Sequence, residues 1–483
     1  MNTQTSRSVE QESLIGALQT LLPACVIEDA PEVLKAKAQD RWPISAKWSA
    51  EELQSHLPLA VVTVRSASDV SQALKFAAQH QLAVVPYGAG SGVVGGVVNQ
   101  RGHLCLDLGG LNGKPQIDND NGEVTVPAGV LGGDLEKILN QHGRRIPHYP
   151  QSLALASVGG LVATRSSGTF SSKYGNIENF VVSLEVVLPD GRIITTRRAP
   201  RSSTGPSITQ LFVGSEGTLG IITSVTLRTL PLAKTRRFSG VAFNSIDNGL
   251  KAVRQLLDEG ITPAVIRLYD AQEAVHIFEK SEIAGNDRVL LVLAFDGHDA
   301  VTQAEQQVAL KITAQHQGDD LGAVPGEVWE RTRFDASWLD RGNAGAFSFA
   351  DAIEISASWQ QLPGLHGAVL NAIAPYVDKA FAHYSHFYSN GGAIYFIFFT
   401  SGKDKRESES RFHTVWDITL RTVLEQGGSI SHHHGVGEAR KHWMKHEHGD
   451  SLKVLAALKQ ALDPRDILSP GKLGLNEIKG EQQ

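Results

Sequence analysis

Cysteine is scarce in this sequence. Among 483 residues there are only Cys25 and Cys105, which stand far apart along the chain. Two such cysteines cannot supply the disulfide framework of a small secreted domain, and they lack the close spacing of a cysteine zinc site. The scarcity therefore favours a reducing, cytoplasmic environment.

Long apolar runs are missing as well. Residues 289–295 form one of the longest, which has the length of a strand and is too short to cross a bilayer. Residues 1–7 are polar and lack the apolar stretch of a secretory signal. We therefore expect a cytoplasmic protein whose association with a membrane would be peripheral.

The sequence has no long run of residues with the same charge. The formal net charge is −6, and without a long Lys/Arg run nucleic acid is not an expected partner. A short basic stretch contains Arg440, Lys441 and Lys445 and favours attraction to a phosphate or an anionic lipid surface. The alternative is a solvated helix face, because Glu438 and Glu447 are interspersed.

The remaining composition is that of a soluble globular protein, with 41% hydrophobic and 20% charged residues. The chain is long enough for two or three domains with their own cores. Predicted strands cover residues 59–64, 82–86, 103–108, 124–127, 238–243, 289–295 and 393–400. Predicted helices cover residues 68–79, 133–141, 249–257, 300–315, 363–377, 406–425 and 451–462.

The order of these elements divides the chain into four parts. Residues 1–55 are predicted to be mostly helical, and residues 56–233 alternate strands with glycine-rich turns. Residues 234–428 combine helices with strands in a pattern typical of an antiparallel sheet, and residues 429–483 carry a histidine loop and closing helices. The sequence therefore predicts an α+β protein.

A glycine-rich segment from Tyr87 to Gly96 follows a predicted strand. Dense glycine lets backbone N–H groups face an anion. Residues 90–95 match the dinucleotide fingerprint G-x-G-x-x-G, but that fingerprint requires a helix directly afterwards. Here the chain enters another predicted strand, so we reject the Rossmann interpretation and leave a glycine-rich hairpin as the structural alternative.

Two further segments, residues 150–164 and 214–223, share this small, hydroxyl-rich character. Three such loops in one domain predict a single extended ligand that contains a pyrophosphate. The residues predicted to contact it are Pro86, Gly88, Ala89, Gly90, Ser91, Gly92, Gly96, Pro150, Ser152, Ser157, Gly159, Gly160, Thr164, Glu216, Gly217, Gly220, Ile221 and Ile222.

Three adjacent histidines, His432, His433 and His434, lie between glycines. Imidazole titrates near neutrality and is suited to proton transfer, and the flanking glycines permit a tight turn close to a ligand. The alternatives are an incidental solvated turn and a surface metal-binding tract.

The three loops resemble the FAD-binding domain of the vanillyl-alcohol oxidase family. Within that family, residues 174–179, 200–206, 263–270, 394–396 and 431–437 resemble the alkylglycerone-phosphate synthases, and the similarity covers residues 40–475. The resemblance implies an FAD-binding domain of two α+β subdomains, followed by an α+β cap domain with an antiparallel sheet. It also implies a homodimer.

The same resemblance implies an activity in ether-lipid synthesis. The acyl group of acyl-glycerone phosphate would be exchanged for a fatty alcohol, with the substrate carried on the flavin N5. Tyr395 would be the base, the three histidines would handle the leaving acid and the incoming alcohol, and Arg267 would orient the phosphate or the flavin. The phenol of Tyr395 would need a lowered pKa, from cations or protonated imidazoles nearby. The alternatives are a core aromatic for Tyr395 and a salt bridge from Arg267 to Asp270.

Related flavin dehydrogenases for 2-hydroxy acids carry a histidine metal site near residues 386–395. Here Asn390 replaces the acid and Tyr395 replaces the second histidine, so we predict no metal. Because no histidine lies between Pro86 and Val98, we expect FAD to be bound non-covalently.

The chain departs from the synthase pattern at Gln151 and at residues 342–345. An FAD-linked oxidase or dehydrogenase of an alcohol or 2-hydroxy acid is therefore the second hypothesis. A flavin-binding protein without catalysis is the third. The expected partner is a small-molecule or lipid-phosphate substrate.

Overall fold

A small sheet of short strands forms the first part of the structure. The computed structural model describes residues 9–282, 287–335 and 337–475. The strands are ordered β1-β2-β4-β3, with β4 parallel to β2 and β3, and β1 antiparallel to β2. The elements of this part are α1 (Val9–Leu21), β1 (Val26–Glu28), α2 (Pro31–Lys37), α3 (Ala50–Gln54), β2 (Ala60–Thr63), α4 (Ala67–His80), β3 (Val84–Tyr87) and β4 (Leu104–Asp107).

Helix α4 illustrates how local sequence sets these elements. The hydroxyl of Ser66 accepts a hydrogen bond from the backbone N–H of Asp69 and caps the helix. Val70, Leu74 and Ala77 are buried at helical spacing and belong to the core shared with the first sheet.

The N-terminal segment is less purely helical than predicted. Strand β1 lies within it, because Ile27 packs against the core of the first sheet and its neighbours pair with β2 as an edge strand. Residues 1–8 and 476–483, which belong to the two predicted terminal segments, lie outside the described residues. The predicted four-part domain division remains a prediction.

The second part contains a five-stranded sheet, ordered β5-β6-β10-β8-β9, and the pair β7–β11. Its strands are antiparallel. The elements are β5 (Gln116–Asp118), β6 (Glu123–Pro127), α5 (Gly132–Gln141), β7 (Arg144–Arg145), α6 (Val158–Ala163), α7 (Ser171–Tyr174), α8 (Ile177–Phe180), β8 (Val181–Val187), β9 (Ile193–Thr195), α9 (Ile208–Phe212), β10 (Ile221–Arg228) and β11 (Leu230–Pro231).

The third part is organised by a seven-stranded antiparallel sheet, ordered β15-β12-β14-β13-β17-β18-β16. The elements are β12 (Thr235–Phe243), α10 (Ile246–Asp258), β13 (Val265–Tyr269), α11 (Ala271–Lys280), β14 (Val289–Gly297), α12 (Asp299–Gln315), β15 (Asp319–Asp320), α13 (Val324–Thr332), α14 (Ser337–Gly342), β16 (Ser348–Ser358), α15 (Leu362–Ile373), β17 (Lys379–Tyr388), β18 (Gly391–Ser401) and α16 (Lys405–Glu425).

The chain then returns to the first part through α17 (Gly437–Arg440), α18 (Met444–His448) and α19 (Leu452–Leu462). Val84 donates its N–H to the carbonyl of Ile467, and Ser469 donates its N–H to the carbonyl of Val84. Residues 467–469 therefore lie beside β3, next to the end of the strand from which the glycine-rich loop departs.

Two α+β subdomains followed by an antiparallel cap sheet confirm the predicted fold class. Between β3 and β4 the described chain contains no helix, which confirms the rejection of a Rossmann dinucleotide unit. Within the described ranges no helix has both the length and the apolar character needed to cross a membrane.

A buried ion pair connects the second part to the cap sheet. Arg145 on β7 donates to Asp296 on β14 at 2.5 Å, with side-chain exposures of 6% and 0%. Tyr174 also donates to this carboxylate, and Arg236 lies 3.3 Å from it. Although burial alone would raise the pKa of Asp296, the hydrogen bonds from Arg145 and Tyr174 hold it below its usual value.

We expect Asp296→Ala to lower the free energy of unfolding by about 3–5 kcal/mol, because it leaves two guanidinium groups near a buried site without their anion. Asp299→Ala is the matched control, since Asp299 pairs with Arg237 at 2.8 Å while 61% exposed. That change should cost about 1 kcal/mol or less. Urea unfolding measures both variants, and equal losses would contradict the role assigned to the buried pair.

Candidate active site

One face of the cap sheet carries a row of polar side chains. Tyr395 on β18 lies directly opposite His383 on β17 and Glu354 on β16, and His383 lies opposite Tyr269 on β13. Residues that oppose each other across an antiparallel sheet point to the same face. The alternate residues, such as Ile394, point to the other face and are buried in a core shared with α15 and α16.

Arg267 lies at one end of this row. It precedes Tyr269 by two residues on β13, so both side chains share the face, and the Arg267 guanidinium lies 5.4 Å from the Tyr269 ring centre. The guanidinium donates to Nε2 of His383, whose Nδ1 lies 2.8 Å from the carboxylate of Glu273. The buried Nε of Arg267 has no hydrogen-bond partner among the described residues.

The alternative interpretation of Arg267, a salt bridge to Asp270, does not fit the structure. Asp270 accepts hydrogen bonds from the backbone N–H groups of Ala382 and Glu273 and pairs with His366 at 3.2 Å. Its carboxylate caps α11 instead of neutralising the guanidinium.

The histidine loop is fixed by the buried carboxylate of Glu354. This side chain is 0% exposed and accepts hydrogen bonds from the backbone N–H groups of His432 (2.5 Å) and His434 (2.6 Å) and from the Ser431 hydroxyl (3.0 Å). Arg440, also fully buried, donates to it at 3.2 Å. Burial alone would raise the pKa of Glu354, but the Arg440 charge and the contacts with the histidine loop together hold it below its usual value.

A second carboxylate attaches the loop to the second part of the structure. Glu216 accepts hydrogen bonds from the backbone N–H groups of Val436 at 2.6 Å and Gly437 at 3.1 Å. Burial is the main reason why the pKa of Glu216 is raised. Both oxygens of Glu216 bind the histidine loop, and its predicted contact with the cofactor remains a prediction.

These contacts bring Tyr395 and the three histidines together. The Tyr395 hydroxyl lies 2.5 Å from Nε2 of His433, and its ring lies 5.3 Å from that of His433 and 5.9 Å from that of His434. His432 instead contacts Tyr388, whose hydroxyl lies 2.8 Å from its Nε2. The three side chains therefore approach one site from a single tight loop.

Burial opposes the activation that Tyr395 would need as a base. Burial raises the pKa of Tyr395, and the charge of Arg267 offsets this only in part. Burial also lowers the pKa of His432 and of His434 to about 4, and holds that of His433 well below its usual value. At neutral pH the site contains a neutral phenol hydrogen-bonded to a neutral imidazole.

Several residues of this site were not found from the sequence. Glu354, His383, His386, Tyr388 and Arg440 stand in ordinary strand or helix patterns, and only their pairing across elements reveals them. Ring nitrogens of His386, His432 and His433 lie within 4.8 Å of one another, a spacing that a metal ion could also use. The prediction that no metal is bound remains a prediction.

The glycine-rich loops converge and leave backbone donors open. An added Cβ at Gly88 would lie 2.4 Å from the Ser157 hydroxyl, and one at Gly217 would lie 2.4 Å from Pro86. Among the described residues, the N–H groups from Ala89 to Val94 make no hydrogen bond. A partly exposed row of open donors at a loop without side-chain bulk fits a pyrophosphate.

The other predicted cofactor residues lie on these same loops. Ser157 caps α6 through the N–H of Gly160, and Thr164 donates to the carbonyl of Gly160 at 2.9 Å. Ile221 and Ile222 begin β10. The remaining members, Ala89, Gly90, Ser91, Gly92, Gly96, Pro150, Ser152, Gly159 and Gly220, lie in or beside the three loops, and their contacts with the cofactor remain predictions.

Comparison with known proteins agrees with this arrangement. Residues 58–197 match the model of the FAD binding domain, and residues 232–473 match that of the C-terminal domain of FAD linked oxidases. The chain is 32% identical over 440 residues to the uncharacterized FAD-linked oxidoreductase YgcU of Escherichia coli K12, covering 86% of this chain and 89% of YgcU. These matches establish FAD as the cofactor.

Synthases of the type expected from the sequence are also similar to the chain. It is 29% identical over 451 residues to the alkyldihydroxyacetonephosphate synthase of Trypanosoma brucei brucei, covering 86% of this chain and 73% of that protein. A solved structure of an alkyldihydroxyacetonephosphate synthase superimposes with a TM-score of 0.81 at 24% identity, covering 98% of this chain and 87% of that one. At that identity, the superposition supports the fold.

We expect Glu354→Gln to lower the free energy of unfolding by about 3–5 kcal/mol, because Arg440 loses its buried counter-charge and the amide cannot accept every loop hydrogen bond. Urea unfolding and retained FAD measure the effect. Asp351→Asn on the same strand is the matched control. Burial raises the pKa of Asp351 to about 7, so it is already partly neutral at pH 7.

Asp351 accepts from the Trp416 indole at 3.1 Å and does not contact the histidine loop. An asparagine can keep that contact, so the control should lose about 1 kcal/mol or less and should keep its FAD. A Glu354→Gln protein as stable as the control would show that the loop does not depend on this carboxylate.

Proposed function

This chain belongs to the FAD-linked oxidase family, and from that premise we propose that it removes a proton from its substrate with the Tyr395–His433 pair. The first candidate reaction is the exchange of the acyl group of acyl-glycerone phosphate for a fatty alcohol. The observation that supports the proposal is the 2.5 Å contact between the Tyr395 hydroxyl and Nε2 of His433. Transferase and oxidoreductase members of this flavin-dependent family share the fold. The choice between the two activities must therefore be argued from the residues of the site.

The pair can act as a base although the phenol is neutral. A phenol with a raised pKa accepts a proton only if its own proton leaves at the same time. Nε2 of His433 is positioned to take that proton, because a neutral imidazole has one nitrogen lone pair in the ring plane. The unit that removes the substrate proton is therefore the hydrogen-bonded pair, with Tyr395 at the substrate and His433 behind it.

Arg267 supplies the anion-binding part of the proposed site. Its guanidinium lies on the same sheet face as Tyr395, and the His383 ring stacks on the Tyr395 ring with centres 4.6 Å apart. The open Nε of Arg267 can donate to a phosphate or a carboxylate of the substrate. The Glu273 carboxylate holds His383 in place from the other side.

FAD, which the open N–H groups of the glycine-rich loop would hold, would supply the electron-accepting ring that both candidate reactions require. The protein side of the site has three tasks. Tyr395 and His433 move a proton, Arg267 orients an anionic group, and Glu354 with Arg440 holds the loop against the sheet. His434, whose Nδ1 lies 3.5 Å from Glu354, is the residue proposed to meet the leaving or entering oxygen.

The exchange reaction is placed first because residues 394–396 and 431–437 resemble motifs of the alkylglycerone-phosphate synthases, and the chain is 29% identical to one such synthase. The second candidate is oxidation of a 2-hydroxy acid or an alcohol. Similarity to an FAD-linked oxidoreductase at 32% identity favours it, and Arg267 would serve a substrate carboxylate as well as a phosphate.

Two assays on the FAD-loaded protein separate these candidates. Palmitoyl-glycerone phosphate with hexadecanol should yield an alkyl ether and free palmitate without lasting bleaching of the flavin absorbance. D-lactate or glycolate, mixed without oxygen, should bleach the flavin if the second candidate is correct. Silence in both assays would contradict the proposed function.

We expect Tyr395→Phe to lower the turnover of whichever reaction is found by about 10²–10⁴-fold, because the proton acceptor is lost. The variant should keep its FAD. Tyr384→Phe is the control, since Tyr384 lies on the same hairpin and donates to the Leu362 carbonyl at 3.2 Å, on the opposite sheet face. Undiminished turnover in Tyr395→Phe, or an equal loss in the control, would refute the assignment.

A further inference from the structure

We propose that His432 and Tyr388 extend the Tyr395–His433 pair into a hydrogen-bonded proton relay, which carries the substrate proton away from the reacting atoms toward Asn176. The inference rests on the proposed function, because Tyr395 must first receive a proton. It adds two residues, His432 and Tyr388, which act through His433 and are therefore positioning residues.

The relay is continuous in the structure. Nε2 of His433 lies 2.5 Å from the Tyr395 hydroxyl, and its Nδ1 lies 2.9 Å from Nδ1 of His432. Nε2 of His432 lies 2.8 Å from the Tyr388 hydroxyl, which lies 3.2 Å from Oδ1 of Asn176. Each ring uses both of its nitrogens, one toward each neighbour.

Because both rings are neutral, the hydrogen bonds of the relay can run in only two orders of donor and acceptor. A neutral imidazole carries one N–H, so the contact between the two Nδ1 atoms requires a donor on one ring and an acceptor on the other. If Tyr395 donates to His433, then His433 must donate to His432, His432 to Tyr388 and Tyr388 to Asn176. In the opposite order the Tyr395 O–H points to the substrate. The first order is therefore the relay before it removes a substrate proton, and the second is the relay afterwards.

Passage of one proton converts the first order into the second. The substrate X–H bond breaks as the Tyr395 oxygen takes its proton, and the bonding electron pair stays on the substrate atom X. The former Tyr395 proton moves to Nε2 of His433. The Nδ1 proton of His433 moves to Nδ1 of His432, and the Nε2 proton of His432 moves to the Tyr388 oxygen. The former Tyr388 proton is released to solvent water, so every residue ends neutral and one proton has left the site.

The surroundings hold the relay atoms in line. Glu354 accepts the backbone N–H of His432, and the Tyr388 and His432 rings stack with centres 5.7 Å apart. Asn176 belongs to the FAD-domain side, where the Ser167 hydroxyl donates to its Oδ1 at 2.5 Å. The relay therefore crosses from the cap sheet through the histidine loop to the FAD-binding part, and Tyr388 keeps part of its surface exposed.

The first experiment needs no substrate. In FAD-loaded protein with ¹⁵N-labelled histidine, ring-nitrogen spectra report the tautomer of each imidazole, and single substitutions of His432 and His433 assign the signals. We expect both rings to be neutral and to carry opposite tautomers, one protonated at Nδ1 and the other at Nε2. Identical tautomers would overturn the relay. A tightly bound metal ion in stoichiometric amount would overturn it too, because the ion would use the same lone pairs of His432 and His433.

The second experiment measures proton movement during the reaction. With the probe that reacts in the assays above, Tyr388→Phe should slow a single turnover about tenfold or more, with little change in substrate affinity. In mixtures of H₂O and D₂O the wild-type rate should depend non-linearly on the deuterium fraction, since several protons move together. The variant should lose that curvature. Tyr384→Phe, the same change on the same strand, should keep both the rate and the curvature.

The outcomes of the two experiments separate the relay from the proposed function. A reactive wild type with a Tyr388→Phe variant that matches Tyr384→Phe would refute the relay and leave the function standing. A wild type inert toward both probes would refute the function, and the tautomer spectra would then decide by themselves whether the hydrogen-bonded chain exists. A slow Tyr388→Phe protein that keeps the curved deuterium dependence would also refute the relay, because a purely structural loss would explain it.

Discussion

The buried ion pair between Glu354 and Arg440 is the constraint on which the candidate site depends. Both side chains are fully buried, and the carboxylate also accepts hydrogen bonds from two backbone N–H groups of the histidine loop. A carboxylate is stable in that environment because a charged partner and several donors replace the water it has lost. The loop is thereby held close to Tyr395, because Tyr395 on β18 lies opposite Glu354 on the adjacent strand β16.

Burial explains why the site is neutral. Partial burial and close mutual contact lower the pKa of the imidazoles, and burial raises that of the Tyr395 phenol, so both kinds of group stay neutral. A neutral site favours proton transfer along hydrogen bonds, since none of the relay residues has to carry a charge in a low-dielectric surrounding. Glu216 adds the second attachment of the loop, so the histidines are held against both the cap sheet and the FAD-binding part.

Much of the architecture could be predicted from the sequence. The predicted strands and helices of the cap are present in the structure. Strands β16 and β17, which carry Glu354 and His383, were not predicted. The glycine-rich loop could be linked to FAD because a loop that binds a pyrophosphate through backbone N–H groups is rich in glycine, and this composition can be read from the sequence.

The cross-strand neighbours of Tyr395 could not be predicted, and a bulge shows why. A regular hairpin with Tyr388 opposite Gly391 would place Tyr384 opposite Tyr395, whereas a register shift between Ser385 and Tyr388 places His383 there. The extra residue is accommodated near His386, whose φ is +50°. A shift of one residue exchanges the two faces of a strand, so the position of His383 in the site depends on an irregularity without a sequence signature.

A crystal structure of the FAD-loaded protein tests the central claim most directly. The account predicts that the reactive edge of the flavin ring lies within about 4 Å of the Tyr395 hydroxyl and the histidine loop, with Glu354 still bound to the backbone N–H groups of His432 and His434. A flavin ring on another face of the cap sheet, or a histidine loop released from Glu354, would contradict it.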